Sequence, residues 1–149
     1  MQYTLEIEID LPRDQVIEKL DNPDNMKYWQ EGLIGYELME GEAGTAGAKM
    51  KIQYKMGKRD VEMVETIVKR QFPDEFHATY DAGVVFNQQW NYFHDQGDKT
   101  KWVSKSDFQF KGFMKILSFF MGKKAFMKQS FKYLEDFKAF AEGNPRHGN

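Results

Sequence analysis

The sequence predicts an α+β fold, a seven-stranded curved antiparallel sheet wrapped around a long C-terminal helix, with two short helices after strand 1. Three observations predict it. Apolar and polar residues alternate in short runs as far as Phe110, the mark of strands with one wet face. After Gly112 the apolar spacing lengthens to that of a helix. A sheet with one polar face must also cover its other face, and that helix is the only element long enough to do so.

The first strand is Tyr3 to Asp10, with Tyr3, Leu5, Ile7 and Ile9 on one face and Thr4, Glu6, Glu8 and Asp10 on the other. Pro12 suits the first turn of a helix, where its missing N–H costs nothing, and Val16, Ile17 and Leu20 give that helix an apolar side. Asn22-Pro23-Asp24 restarts the chain, Met26 and Trp29 mark a second short helix, and Gly32 ends it. Leu33–Glu40 is the next strand, followed by the glycine-rich loop 41–47. Ala48, Met50, Ile52, Tyr54 and Met56 alternate with Lys49, Lys51, Gln53 and Lys55, and Gly57-Lys58 turns the chain into a strand over 59–69. Phe72-Pro73-Asp74 breaks that strand, and Phe76, Ala78 and Tyr80 alternate in the one after it. Beyond Ala82-Gly83, one strand carries Phe86, Gln88, Trp90, Tyr92 and His94 in a single phase. The hairpin at 95–98 leads to another with Trp102, Ser104, Ser106, Phe108 and Phe110 in phase. From Phe113 through Phe137, apolar residues recur at helical spacing and lysines fall mostly opposite, with a bend expected near Gly122. One domain is expected over residues 1–142, and 143–149 reads as a disordered tail.

Composition narrows the function. At 149 residues, roughly 70% of the unfolded surface can be buried, so a core forms without staples. The absence of cysteine excludes disulfides and thiolate chemistry, and a formal charge of -2 argues against a general nucleic-acid binder. No apolar run reaches the roughly 20 residues of a membrane span, and the start Met1-Gln2-Tyr3 lacks a signal-peptide pattern, which leaves a cytoplasmic location as the default. The charge is unevenly spread: from Lys111 onward eight Lys/Arg face three Asp/Glu, a net of +5, so the remainder carries -7. Thirteen Phe and nine Met suit a surface that adapts to varied apolar shapes, or simply a core.

The ordered set of Leu11-Pro12, the helix Arg13–Leu20, Asn22-Pro23 before Trp29, Gly47-Ala48, Phe72-Pro73, the Gly97–Lys101 hairpin and the closing helix resembles the SRPBCC superfamily, also called START-like or helix-grip proteins. The resemblance implies a cavity between sheet and helix that binds lipids, sterols, polyketides or other apolar molecules. Some members are cyclases or dehydratases, many only bind or carry, and a few bind partner proteins. No shared motif marks catalysis, so fold transfers better than activity.

The alternation places Tyr54, Met56, Tyr80, Gln88, Trp90, Tyr92, Trp102, Ser104, Ser106, Phe108 and Phe110 toward the helix, which answers with Leu117, Phe120, Met127, Phe131 and Leu134. An aromatic pocket with a few polar groups is what small-molecule sites look like. Gln88, Ser104 and Ser106 either line the cavity or satisfy one another in a core. Glu65 is ambiguous, because apolar residues occupy both faces of 61–69. An inward carboxyl could act as an acid or base, but a bulge that turns Glu65 to water is the favoured reading. His94 reads as a rim residue, and no histidine pair has metal-site spacing, so no cofactor or metal is expected. Lys111, Lys115, Lys123 and Lys124 surround Phe113, Phe119 and Phe120. Adjacent Phe119 and Phe120 point about 100° apart, so one of them is expected at the surface. Contact with an anionic membrane is therefore the second reading of this segment, beside a solvated face over a wide core stripe. Binding of an apolar small molecule leads, ahead of a cyclase-type enzyme and of a partner-binding module with a filled core.

Overall fold

A computed structural model describes residues 1–148, so Asn149, the last residue of the expected tail, lies outside the described residues. The strands are β1 (Gln2–Ile9), β2 (Leu33–Glu40), β3 (Lys49–Met56), β4 (Arg59–Gln71), β5 (Glu75–Asp81), β6 (Val85–Asp95) and β7 (Thr100–Phe110). They form one antiparallel sheet in the order β1-β7-β6-β5-β4-β3-β2. Among the described residues, the only pairing between strands distant in sequence joins β1 to β7, with Gln2 opposite Asp107 and Ile9 opposite Thr100. Two short helices, α1 (Arg13–Leu20) and α2 (Met26–Trp29), follow β1, joined by a 3-10 turn at Pro23–Asn25. Asn22 caps that turn by accepting from the Asp24 backbone N–H at 3.0 Å.

The C-terminal segment is two helices, α3 (Phe113–Met121) and α4 (Lys123–Ala141). Gly122 separates them at φ 79°, a conformation open to glycine at little cost. Only α4 lies in the hollow of the sheet. Tyr3 ties β1 to it, donating to the Phe126 carbonyl at 3.2 Å while meeting the Ser130 hydroxyl at 2.6 Å. The expected single rod from Phe113 is therefore shorter, beginning at α4.

The main core sits where α1, α4 and the β6–β7 end of the sheet converge: Ile9, Val16, Phe93, Trp102, Leu134, Phe137 and Ala141. Phe137 is fully buried, edge-on to Trp29 at 5.2 Å and to Trp102 at 5.4 Å between ring centroids. A second cluster of Met26, Ile52 and Tyr54 ties α2 to β3. Residues 143–148, expected as a disordered tail, carry Arg146 and His147, which meet the buried Asp136 carboxylate at 3.1 and 2.8 Å. Among the described residues, no helix is long and apolar enough to cross a membrane.

Candidate functional site

Between α4 and the concave face of the sheet lies a cavity of about 570 Å³. That falls inside the range of small-molecule sites, roughly 300–1,000 Å³. Strand register explains its walls. One row across the sheet runs Met50, Glu65, Tyr80, Asn87 and Phe108, and the next runs Ile67, Ala78, Gln89 and Ser106. Because side chains alternate, each row presents a single face inward. Helix α4 closes the space with Phe126, Gln129, Ser130, Tyr133 and Leu134. Most of the lining is apolar, with a polar minority concentrated on β6 and β7.

The cavity has two ends. At one, Met56, Val61, Ala82 and Val85 line it beside the β3–β4 and β5–β6 turns. At the other, Ala43 and Gly44 of the β2–β3 loop meet Asp21 and Arg70. The Arg70 guanidinium pairs with both Asp21 carboxylate oxygens and lies over the Phe72 ring, 4.7 Å from its centroid. A second and more open cleft of about 410 Å³ lies among Arg13, Asp74 and His94, with Glu75 and Asp95 also in its wall.

Tyr54, Met56, Tyr80, Trp102, Ser104, Ser106 and Phe108 line the cavity, where the sequence places them. Gln88, Trp90 and Tyr92 do not. The phase of β6 is the opposite of the expected one, so Asn87, Gln89, Asn91 and Phe93 face inward. Trp90 lies outside beneath the Lys105 ammonium, 5.4 Å from its ring centroid, and Tyr92 meets the outward His77 edge-on. Three of the four aromatics of β6 are outside and three of its four amides are inside, Phe93 and Gln88 being the exceptions. Trp102 makes this work by donating its indole N–H to Asn91 Oδ1 at 3.0 Å. The sequence did carry a trace of this arrangement, in that Asn87, Gln89, Asn91 and Phe93 also alternate.

On the helical side, Leu117 and Phe120 belong to α3 and stand in solvent. Met127 and Phe131 fall outside the lining, and Phe131 packs instead against the main core. The break at Gly122 resets the helical phase, so the lining residues of α4 are Phe126, Gln129, Ser130, Tyr133 and Leu134, of which the sequence places only Leu134 there.

Glu65 reverses the favoured reading. The irregularity in β4 falls between Ile67 and Lys69, beyond Glu65, so it turns out Val68 and leaves Val61, Met63, Glu65 and Ile67 all inward. Burial raises the Glu65 carboxyl above the ordinary carboxylate value, and a hydrogen bond from the Tyr80 hydroxyl opposes part of that rise. Tyr80 is itself pushed well above a normal phenol, first by burial and then by the Glu65 charge. Tyr54, raised by burial and by the neighbouring Tyr133 and Glu65, donates its hydroxyl to Gln30 Oε1. The interior of the cavity thus holds the Glu65 carboxyl within a group of phenols, and the other lining carboxyl, Asp21, sits at the loop end paired with Arg70. Among the described residues, no three His, Asp or Glu side chains gather as a metal site would require.

No family model matches the chain, and no curated protein matches it. Solved structures do. A conserved protein from Geobacillus kaustophilus superposes with a TM-score of 0.79 at 13% identity over 100% of both chains. Ara h 8.0201 gives 0.78 at 12% identity, covering 97% of this chain and 99% of its own. The Zhui aromatase/cyclase from Streptomyces sp. R1128 gives 0.75 at 12% identity, covering 95% and 93%. At these identities the likeness establishes architecture alone. The chain has the helix-grip fold that its sequence resemblance implied.

Proposed function

We propose that this protein binds a hydrophobic small molecule, of lipid, sterol-like or polyketide-like character, in the cavity between the sheet and α4. The observation that carries the reading is a largely apolar space of about 570 Å³ with a few polar groups on one wall. The apolar walls favour uptake through the hydrophobic effect, worth about 25 cal/mol per Å² of apolar surface removed from water. The amides and hydroxyls of Asn87, Gln89, Asn91, Ser104 and Ser106 offer hydrogen bonds that orient the guest. A filled-core partner module leaves that space unexplained. Ligand exchange at an anionic bilayer belongs to the same reading and rests on the separate surface formed by α3.

Native mass spectrometry after mild purification, with uptake of a naphthalene sulfonate dye in parallel, tests the proposal. Retained mass or saturable dye uptake is expected, with displacement by a fatty acid, a sterol or a polycyclic phenol. S106F, which places a ring in the cavity, is expected to weaken uptake at least about tenfold, as loss of a well-filled apolar site does. F119S/F120S, which alters only α3, is expected to leave cavity uptake unchanged. Absence of any retained mass or dye uptake overturns the reading.

A second reading has one specific observation in its favour. Glu65 is a carboxyl held neutral more readily than usual beside the Tyr80 hydroxyl, the kind of group that gives or takes a proton at a bound carbonyl or enol. An enzyme of the cyclase or dehydratase sort on an aromatic or polyketide substrate would use it so. E65Q then binds the substrate as before but loses turnover by on the order of a hundredfold. Equal turnover by E65Q eliminates the reading.

A further inference from the structure

Helix α3 is folded inside out. Its sequence is Phe113-Met114-Lys115-Ile116-Leu117-Ser118-Phe119-Phe120-Met121, and the one buried residue is Ser118, at 6% exposure. Phe119, Phe120 and Phe113 are 83%, 78% and 73% exposed, and Ile116 is 56% exposed. At 100° per residue, the side chains from Phe119 through Ile116, Phe120, Phe113 and Leu117 to Met121 sweep an arc of about 200°. That entire arc faces away from the protein, and the narrow side of Met114 and Ser118 faces toward it. A helix of a water-soluble domain normally turns its apolar stripe to the core. This one presents a wider than normal stripe to the outside, and scattered exposed apolar residues do not account for it.

Charge identifies what covers it. From Lys111 to Ser130 the chain holds Lys111, Lys115, Lys123, Lys124 and Lys128 and no acidic residue, and all five lysines are exposed. The rest of the molecule is acidic, which leaves the domain with a positive end centred on α3. A second copy docked face to face would set five lysines against five across a desolvated apolar contact, and like charges so placed oppose association. An anionic phospholipid surface meets both demands: acyl chains for the phenylalanines and headgroup charge for the lysines.

We propose that α3 is an interfacial anchor that inserts Phe113, Phe119 and Phe120 into the outer layer of an anionic bilayer, with the flanking lysines on its headgroups. The anchor stands at a defined place. Lys111 donates its backbone N–H to the Val84 carbonyl at 2.9 Å, fixing the start of α3 to the β5–β6 turn. That turn borders the cavity end lined by Met56, Val61, Ala82 and Val85, and Phe108 and Phe126, in the elements flanking α3, also line the cavity. Docking therefore brings one end of the cavity to the membrane. Anchoring itself is independent of the ligand reading; only its use for ligand exchange rests on it.

The test is flotation of the full chain with vesicles of phosphatidylcholine alone and of phosphatidylcholine with phosphatidylserine. Binding is expected only to the mixed vesicles, and it is expected to fall with added salt, since each lysine contributes about fivefold near an anionic surface. K115Q/K123Q/K124Q is expected to lower partitioning by about a hundredfold on that scale. F119S/F120S is expected to abolish flotation while circular dichroism, melting temperature and cavity uptake of dye stay unchanged, since both rings are in water already. Hydrogen exchange of 113–121 should slow on mixed vesicles and nowhere else in proportion. No flotation, equal flotation with neutral vesicles, or flotation indifferent to F119S/F120S overturns the proposal. So does a stable dimer in sedimentation velocity that dissociates on F119S/F120S, since the apolar arc is then spent on a second copy.

Discussion

Replacing Glu65 with glutamine tests the interior of the cavity directly. Glutamine keeps the shape of the side chain and a carbonyl for the Tyr80 hydroxyl, and removes only the titration. In the folded protein, burial raises the Glu65 carboxyl above its ordinary value; in the unfolded chain it has that ordinary value. Below the ordinary carboxylate range both states are protonated, and the folded protein keeps its full stability. As pH rises, the unfolded state gives up this proton first, so the folded state binds more protons and stability falls. The slope for one proton is about 1.4 kcal/mol per pH unit, and the fall ends once the folded carboxyl ionises. Each tenfold by which the cavity weakens the acid thus costs the wild type about 1.4 kcal/mol at neutral pH. E65Q is free of that cost. Glu75 and Glu142 shift the other way, lowered by Lys69 for Glu75, and for Glu142 by the Asp10 backbone N–H and Lys138 against an opposing burial effect. Both are present in the two proteins and cancel in the difference. Urea unfolding of ligand-free wild type and E65Q, from about pH 4 to about pH 9, reads the difference. The two should agree at the acid end, with E65Q increasingly the more stable above it until the gap levels off. A gap that does not change with pH would refute an inward, poorly hydrated Glu65. So would an E65Q protein destabilised equally throughout.

Two further substitutions examine the rest of the frame. F137A removes a fully buried ring wedged between Trp29 and Trp102, and is expected to cost about 3–5 kcal/mol in chemical denaturation; a cost under about 1 kcal/mol would mean that α4 is not seated there. R70A opens the Asp21–Arg70 cap over the loop end of the cavity, so stopped-flow release of a bound dye should quicken several-fold while stability changes by no more than about 1 kcal/mol, the usual worth of an exposed ion pair. Unchanged release would place the exit at the α3 end.

The architecture was legible because it rests on period alone. Alternation from Tyr3 to Ile9, from Ala48 to Met56 and from Trp102 to Phe110 holds in the folded chain, as do the breaks at Gly32, Gly57 and Phe72-Pro73. The site was legible where one phase was plainly more apolar or aromatic than the other, as in β3 and β7. It was not legible at Glu65, because β4 is apolar on both faces and nothing in its composition locates the irregularity at Val68. Nor was the helical phase readable across Gly122, where a positive φ resets the register that Leu117 and Phe120 had suggested for α4.

The failure at β6 argues for the hollow itself. The rule that apolar residues point inward holds for a core that side chains fill, because an amide buried there without a partner costs about 1–3 kcal/mol. Strand β6 breaks the rule between its ends: Phe86, Trp90 and Tyr92 are turned outward and Asn87, Gln89 and Asn91 inward, while Val85 and Phe93 at the two ends obey it. Its neighbour β7 adds Ser104 and Ser106 to the same wall. Five polar side chains on the inner face of two adjacent strands would be a heavy burden on a solid interior. Facing an open cavity, they keep room for hydrogen bonds to whatever enters, and the outer aromatics cover the sheet with the help of stems such as Lys105. Under the proposed reading, the strand that departs from the burial pattern is therefore the one whose amides are placed for a guest, while its Phe93 serves the core.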